Sequence, residues 1–550
     1  MMEELAELLA KKVKEIYGLD VQPEFSRTDE VHGDFSTNLA MQLAQKIGRP
    51  PRDAAEELAE ALRESGVIKE VNVAGPGFIN VRLSDAAVFR DMYWKKPVIN
   101  QTILLEYSCP NAFKELHTGH LYQTLIGDSM ARIYEYCQAK VYRTSFGGDV
   151  GLHAAKCLWG ILQALGGENP AKLTEVENRP SFISDAYVQG SKMYEADEAA
   201  KAEIEAINKR IYGLFESGNL KSNFAKIYFT TRQWSYDYFD DFYRQIKAHD
   251  FDTYYPESQT LRPGLEMVKA HPEIFTESDG AVVLDEAKSG LHTRVFITSA
   301  GLPTYETIDL GVIQLEAEQF PYDKRIIITG NDQEQYMKVV FAALKLVDPE
   351  LGAKQRHVTN GTVRLSEGKK KSSRLGNVSK ASDVLRGVEA AIEQGSESER
   401  RDIALGAIKY SLLKGRVGGD LSFDLDQSIS LEGNSGPYLQ YALVRARSIL
   451  RKLGDFPQAD TPEQLDEHER RLAFKLTEMP EAILKAQQDY SPHHICTYLY
   501  ELASVFNRFY ENSRVIDDPR TSVRATLVKH YENTLALGLE LLGIPAPEAM

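Results

Sequence analysis

The sequence predicts a mixed α/β protein of several domains. A doubly wound α/β domain carries a helical insertion, with a small α/β domain before it and an all-helical domain after it. Three observations lead there. A chain of 550 residues is too long for one hydrophobic core, which points to three to five domains. Residues 102–145 run strand, helix, strand, the order that begins a parallel doubly wound sheet. Beyond about residue 385 the apolar spacing is helical almost to the end.

Residues 1–95 read as the first unit. Helical spacing covers Glu3 to Tyr17 and resumes from Asn38 to Ile47 after the turn His32-Gly33-Asp34. Pro50-Pro51 breaks the chain before a helix from Arg52 to Ser65. Val71-Asn72-Val73 and Phe78-Ile79-Asn80-Val81, either side of Gly75-Pro76-Gly77, form a strand, a turn and a strand.

Residues 96–385 read as the doubly wound domain. Its first strand is Thr102 to Ser108, followed by a Pro-Asn loop and a helix from about His117 to Gln138. Leu121, Leu125, Ile126, Met130, Ile133 and Cys137 recur along that helix at helical spacing. A second strand, Lys140 to Ser145, ends at Phe146-Gly147-Gly148-Asp149. From about 160 to 265 the pattern turns helical and charged, an insertion; strand patterns resume at Gly280–Leu284, Arg294–Ile297 and Arg325–Thr329. Residues 386–550 read as the separate all-α domain.

Composition narrows the function classes. Hydrophobic residues at 43% and charged residues at 26% are ordinary for a folded soluble chain. A net charge of −16 argues against coating nucleic acid through a general positive field, although a local basic face can still hold RNA. The acidic start Met1-Met2-Glu3-Glu4 is no signal peptide, and no apolar run reaches the ~20 residues of a membrane helix. A cytoplasmic protein is expected. Cys109, Cys137, Cys157 and Cys496 lie far apart, so neither a disulfide framework nor a structural zinc is expected. They read as small buried hydrophobes, with Cys109 set apart by its loop beside the first strand.

His117-Thr118-Gly119-His120 stands where the first strand passes into its helix. A helix N-terminus offers backbone N–H groups and partial positive charge to phosphates. Two histidines on its first turn can donate hydrogen bonds to charge developing at an α-phosphate, and Gly119 would let an adenine lie flat on the backbone. Two ordinary surface histidines are the alternative. Gly368-Lys369-Lys370-Lys371-Ser372-Ser373-Arg374-Leu375-Gly376-Asn377 is a second phosphate candidate. Alone it reads as a solvated loop; paired with the histidine motif, it can close over a pyrophosphate leaving group.

Together these segments resemble the two ATP signatures of class I aminoacyl-tRNA synthetases, with Lys370-Lys371-Ser372-Ser373 in place of the Lys-Met-Ser-Lys loop. Lys371 replaces the methionine and Ser373 the second lysine. Many arginyl enzymes share such a departure and carry another lysine just before the histidine motif, where this chain has Lys114. The resemblance implies ATP contacts from His117, His120, Lys370, Ser372 and Gly330, with magnesium accompanying the ATP.

A guanidinium pairs best with forked carboxylates, and Glu106 and Asp309 are candidates near strand and helix ends. Tyr305 and Asp309, four apart, share a helix face, and Gln333 follows the strand ending at Thr329. The resemblance to the arginyl family implies Asn111 at the α-amino end of L-arginine, with Glu106, Tyr305, Asp309 and Gln333 around its side chain. In Gly147-Gly148-Asp149-Val150-Gly151-Leu152-His153, His153 stands where that family is expected to carry glutamine.

Glu432-Gly433-Asn434-Ser435-Gly436-Pro437-Tyr438-Leu439-Gln440-Tyr441-Ala442 is similar to the opening helix of the arginyl family's anticodon-binding domain. The resemblance implies that Tyr441 and Arg445 hold an anticodon base, with the terminal Met550 packed nearby; Leu443 departs from a frequent histidine. Read alone, Tyr441 is a core aromatic. His32 to Ala40 resembles the family's domain for the tRNA elbow, with Asn38 as base reader. The implied protein is a monomer that uses ATP, L-arginine and tRNA(Arg) around a Rossmann-type catalytic domain. Its rivals are another nucleotidyl transferase of the superfamily and a non-catalytic RNA binder.

Overall fold

A computed structural model describes residues 2–218, 220–365 and 380–548. Contacts gather the chain into two units: Met1–Lys96 with Arg445–Ala482 and Tyr498–Ala536, and Pro97–Val444 with Ile483–Thr497 and Leu537–Met550. The helices after residue 385 are therefore divided between both units.

In the first unit the helix Met2–Tyr17 buries Leu5, Leu9 and Val13, the stripe its periodicity requires. Helices Leu39–Ile47 and Pro51–Arg63 join it on an antiparallel sheet ordered Ser26–Arg27, Phe35–Thr37, Phe78–Leu83, Ile68–Ala74. Helix Glu467–Leu476 brings Arg470 into this unit, where its guanidinium donates to Asp34, Asp85 and the Leu83 carbonyl. All three side chains are buried.

The second unit is built on five parallel strands: β1 (Thr102–Glu106), β2 (Lys140–Gly147), β3 (Thr253–Pro256), β4 (Lys324–Gly330) and β5 (Gln355–Asn360). Their spatial order is β5-β4-β1-β2-β3. Helix α1 (Thr118–Tyr136) connects β1 to β2 and buries Leu121, Leu125, Ile126, Met130 and Ile133, as its spacing predicts. Helix α2 (Glu257–Ala270) follows β3 directly, α3 (Tyr305–Gln319) precedes β4, and α4 (Glu334–Val347) precedes β5.

Four features depart from the sequence reading. Strand β3 lies inside the stretch taken as insertion; at four residues it is too short to stand out among helices. Residues 281–284 and 294–297 form a separate antiparallel sheet with Thr276–Ser278 instead of joining the parallel one. Leu421–Phe423, in the stretch read as helical, pairs in parallel with Val363–Leu365. Strand β1 also ends two residues early, where Ser108 and Cys109 take positive φ of 68° and 49°.

The insertion proper is three helices, Arg179–Ala196, Glu198–Ser217 and Asn223–Gln245. They close a core on Phe113, which reaches into them from the loop after β1. No helix among the described residues is long and apolar enough to cross a membrane.

Candidate active site

A cavity of about 670 Å³ opens at the carboxyl ends of β1, β2, β4 and β5, where parallel sheets bind ligands. The sequence-predicted Glu106, Asn111, His117, Gly119, His120, Tyr305, Asp309, Gly330 and Gln333 all line it.

His117 caps α1 in an uncommon way. Its Nδ1 accepts from the backbone N–H groups of Gly119 (3.1 Å) and His120 (3.3 Å), while His120 Nδ1 accepts from His117 N–H at 3.2 Å. This is a capping box made of two imidazoles, and the rings stack with centroids 3.7 Å apart. Two of the first-turn N–H groups expected to meet phosphate are thus already engaged. With both Nδ1 atoms accepting, each neutral ring carries its proton on Nε2. Burial, with Lys114 adding repulsion, holds His117 below the usual imidazole range; burial, His117 and Lys114 push His120 down to about 3. Both rings are neutral N–H donors at neutral pH. A Cβ on Gly119 would lie 2.8 Å from the His117 ring, so glycine is required here by the cap itself.

Lys114 does not line the cavity; its ammonium sits 5.0 Å over the Tyr187 ring of the insertion. Asn111 is held rigidly. Its Oδ1 accepts from Gly148 N–H at 2.8 Å, and Ala112 N–H donates to the Gly148 carbonyl at 2.9 Å. His153 donates from Nε2 to the same carbonyl at 3.2 Å, and burial holds its pKa near 4. The imidazole in the expected glutamine position therefore braces the loop beside Asn111 as a neutral donor. Asp149, fully buried, accepts from Ser258 N–H and Oγ, Tyr228 and Arg232. It ties the insertion to the end of β3.

Three buried carboxylates face the same cavity. Asp309 on α3 accepts from the Tyr336 hydroxyl of α4, and burial raises its pKa to about 6. Glu257, first residue of α2, is pushed to about 8 by burial and by Asp149 and Asp309. Glu106, 1% exposed, is also pushed upward by burial, although Arg325 directly beneath it favours the charged form. Tyr305 is 69% exposed at the rim, and Gln333 donates to Asp332 at 3.1 Å. Sequence reasoning missed Glu257, Tyr336, Arg325 and Glu316. Glu257 stands at the carboxyl end of a strand much as Glu106 does, but its strand was hidden within the helical stretch.

The lysine-loop candidates Lys370 and Ser372 lie outside the described residues, as does Met550. The nearest described residues flank the cavity: Val363 lines it, and Lys380 bridges to His117 while pairing with Glu115. Asn38 precedes the Leu39–Ile47 helix, exposed, its Oδ1 accepting from Gln42 at 2.8 Å. Tyr441 is exposed on the helix Gly436–Leu453. The Arg445 guanidinium lies 5.5 Å over the Tyr510 ring.

Three family descriptions match in sequence. "Arginyl tRNA synthetase N terminal domain" covers residues 3–83, "tRNA synthetases class I (R), catalytic domain" 83–416, and "DALR anticodon binding domain" 439–550. The chain is 31% identical to the arginine–tRNA ligase of Thermobifida fusca across 99% of both chains. It is 29% identical to that of Porphyromonas gingivalis across 100% of both. The solved arginyl-tRNA synthetase of Thermus thermophilus superposes with a TM-score of 0.80 at 28% identity, covering 100% of each chain.

Proposed function

This chain belongs to the arginyl-tRNA synthetase family of class I enzymes, and on that premise we propose how its residues divide the work. It is an arginine–tRNA ligase, with ATP, arginine and tRNA as substrates. The arginine side chain enters the cavity with its guanidinium against Asp309 and Glu106, flanked by Glu257, Tyr305 and Gln333. Asn111, clamped by Gly148, meets the α-amino end. The observation that carries this reading is the convergence of three buried acids and the histidine cap on one cavity. Such a pocket is costly to leave without a cation, so citrulline should bind poorly.

In the first step an arginine carboxylate oxygen attacks the α-phosphorus of ATP. The bond to the leaving pyrophosphate breaks, giving arginyl-adenylate. The Nε2–H groups of His117 and His120 donate to charge building on the phosphate. Lys370 and Ser372 close over the pyrophosphate, a role supported by the position of Val363 and Lys380 beside the cavity. Magnesium arrives with the ATP phosphates as part of that substrate. Lys114 supplies the remaining positive charge, a reading supported by its place three residues before His117 on the loop that leads into the histidine cap. A ribose hydroxyl at the tRNA 3′ end then attacks the arginyl carbonyl and AMP leaves. Positioning and charge stabilisation suffice, without a protein nucleophile.

Residues 1–95 would contact the tRNA elbow through Asn38, 96–385 would hold the chemistry, and 386–550 would read the anticodon through Tyr441, Arg445 and Met550. The enzyme would work as a cytoplasmic monomer. Charging total tRNA with ATP-Mg and each labelled amino acid in turn tests the whole reading. Arginine alone should become acid-precipitable. Charging with another amino acid would overturn the pocket, and tRNA binding without charging would overturn catalysis.

A further inference from the structure

Beneath the arginine pocket lies a charged array that no substrate reaches. Parallel register sets Arg325 of β4 two residues before Ile327, the residue directly opposite Glu106 of β1. In a strand, residues two apart face the same side. The Arg325 guanidinium therefore extends along the floor and splits three ways: Nη2 to Glu106 Oε2, Nε to Glu316 Oε2, and Nη1 to Gln355 Oε1 at 3.2 Å. Glu316 sits on α3 two turns beyond Asp309, and its other oxygen accepts from the Thr144 hydroxyl of β2. Gln355 in turn donates to Tyr322 and to the Leu351 carbonyl. Arg325 and Glu316 are 0% exposed, and neither lines the cavity.

We propose that Arg325 is a positioning residue for amino-acid recognition: it holds Glu106 in place and favours the charged form of its carboxyl for the incoming guanidinium. The proposal rests on the reading of Glu106 as an arginine contact. With Oε2 engaged by Arg325, the side chain cannot swing away from the cavity. Among the described residues, the hydrogen-bond donor to Oε1 is the weak Cys109 thiol, at 3.7 Å, which a guanidinium N–H readily displaces. A buried carboxyl without a partner cation would instead take up a proton and lose its attraction for the substrate. Glu316 holds the opposite side of Arg325, so the guanidinium is not drawn out to serve as a false substrate. Ionised, Glu106, Glu316 and Arg325 sum to one negative charge, the complement of one substrate guanidinium.

The test is tRNA-dependent, arginine-dependent ATP–pyrophosphate exchange, with KM for arginine and for ATP measured separately. Three variants are compared: E106Q, the charge-neutral double variant R325M/E316M, and R325K. The double variant should keep its melting temperature and its KM for ATP, while KM for arginine rises about tenfold or more. R325K retains the cation but cannot fork to both acids, so it should recover part of that loss. A folded double variant with normal KM for arginine, beside a raised value for E106Q, would overturn the positioning role and leave the pocket standing. A normal value for E106Q itself would overturn the pocket reading. Equal losses toward arginine and ATP would reduce Arg325 to a structural residue. Should the double variant fail to fold, R325K decides alone: normal KM for arginine overturns the proposal, and a selective rise supports it.

Discussion

Arg470 and Arg325 are two of the buried arginines, each between two carboxylates, and they differ in what surrounds them. Arg470 lies between Asp34 and Asp85 and also donates to a backbone carbonyl, so its surplus of donors is consumed inside the unit. Arg325 lies between Glu106 and Glu316, but Glu106 also faces a cavity that Asp309 and Glu257 share. Lys69 gives Asp85 a second cation at 3.6 Å, so the first cluster is balanced and closed. The second has acids in excess of cations and stays open toward solvent. On the proposed reading of the cavity, the same ion-pair chemistry serves cohesion in one place and recognition in the other, and the uncompensated charge makes the difference.

The sharpest way to break the comparison is to remove a charge from each cluster. Arg470→Met strands two buried acids and should cost about 3–5 kcal/mol, read as a lower melting temperature of its unit. Activity per folded molecule should be unchanged; a specific loss of arginine affinity would mean that cluster is not merely cohesive. Asp309→Asn should do the reverse. We expect kcat/KM for arginine to fall about a hundredfold or more with little change in melting, because only the substrate complex loses its partner. Equal destabilisation by both variants would erase the distinction.

Acidity offers a gentler probe. Glu257 near pH 8 and Asp309 near pH 6 hold protons that must leave before a cation can dock. Arginine binding should therefore weaken about tenfold as pH falls from 8 to 6.5, in the sense that lost protons accompany binding. Without arginine the sign reverses for stability: acids with raised pKa favour the folded state at low pH, and that contribution fades as pH rises from about 4, being lost by about 6 for Asp309 and about 8 for Glu257. Calorimetry in two buffers would count the protons released, and Glu257→Gln should flatten the upper part of the profile. The smallest effect belongs to Lys114→Ala, which should slow activation by roughly tenfold while leaving KM for arginine alone. An unchanged rate would remove its compensating role.

How much of this was legible beforehand follows from distance along the chain. The histidine motif, the strand before it and the helical stripe from Leu121 to Ile133 are local patterns, and the structure keeps them nearly residue for residue. Glu106 and Asp309 were readable as candidates because each stands near the end of a recognisable element. Glu257 was not, since four residues of β3 carry too little periodicity to separate a strand from the helices around it. The Arg325 array draws on residues 106, 144, 316, 325 and 355, which only the sheet register brings together. Nothing in the sequence near Arg470 points to acids 385 and 436 positions away. The reciprocal imidazole cap was also invisible, because sequence gives the spacing of the histidines but not which nitrogen each presents.

Asp149 carries a lesson for anyone who would recombine parts of such enzymes. The three insertion helices, Arg179–Ala196, Glu198–Ser217 and Asn223–Gln245, look like a cassette that could be exchanged for a relative's. Yet Tyr228 and Arg232 of that cassette supply two of the donors to a fully buried carboxylate, and Phe113 is threaded into its core from outside. A transplanted cassette lacking these two side chains would leave an anion sealed in the host without its counter-charge. Successful chimaeras should therefore be those whose cut points move Asp149 with its donors, or that replace all three positions at once.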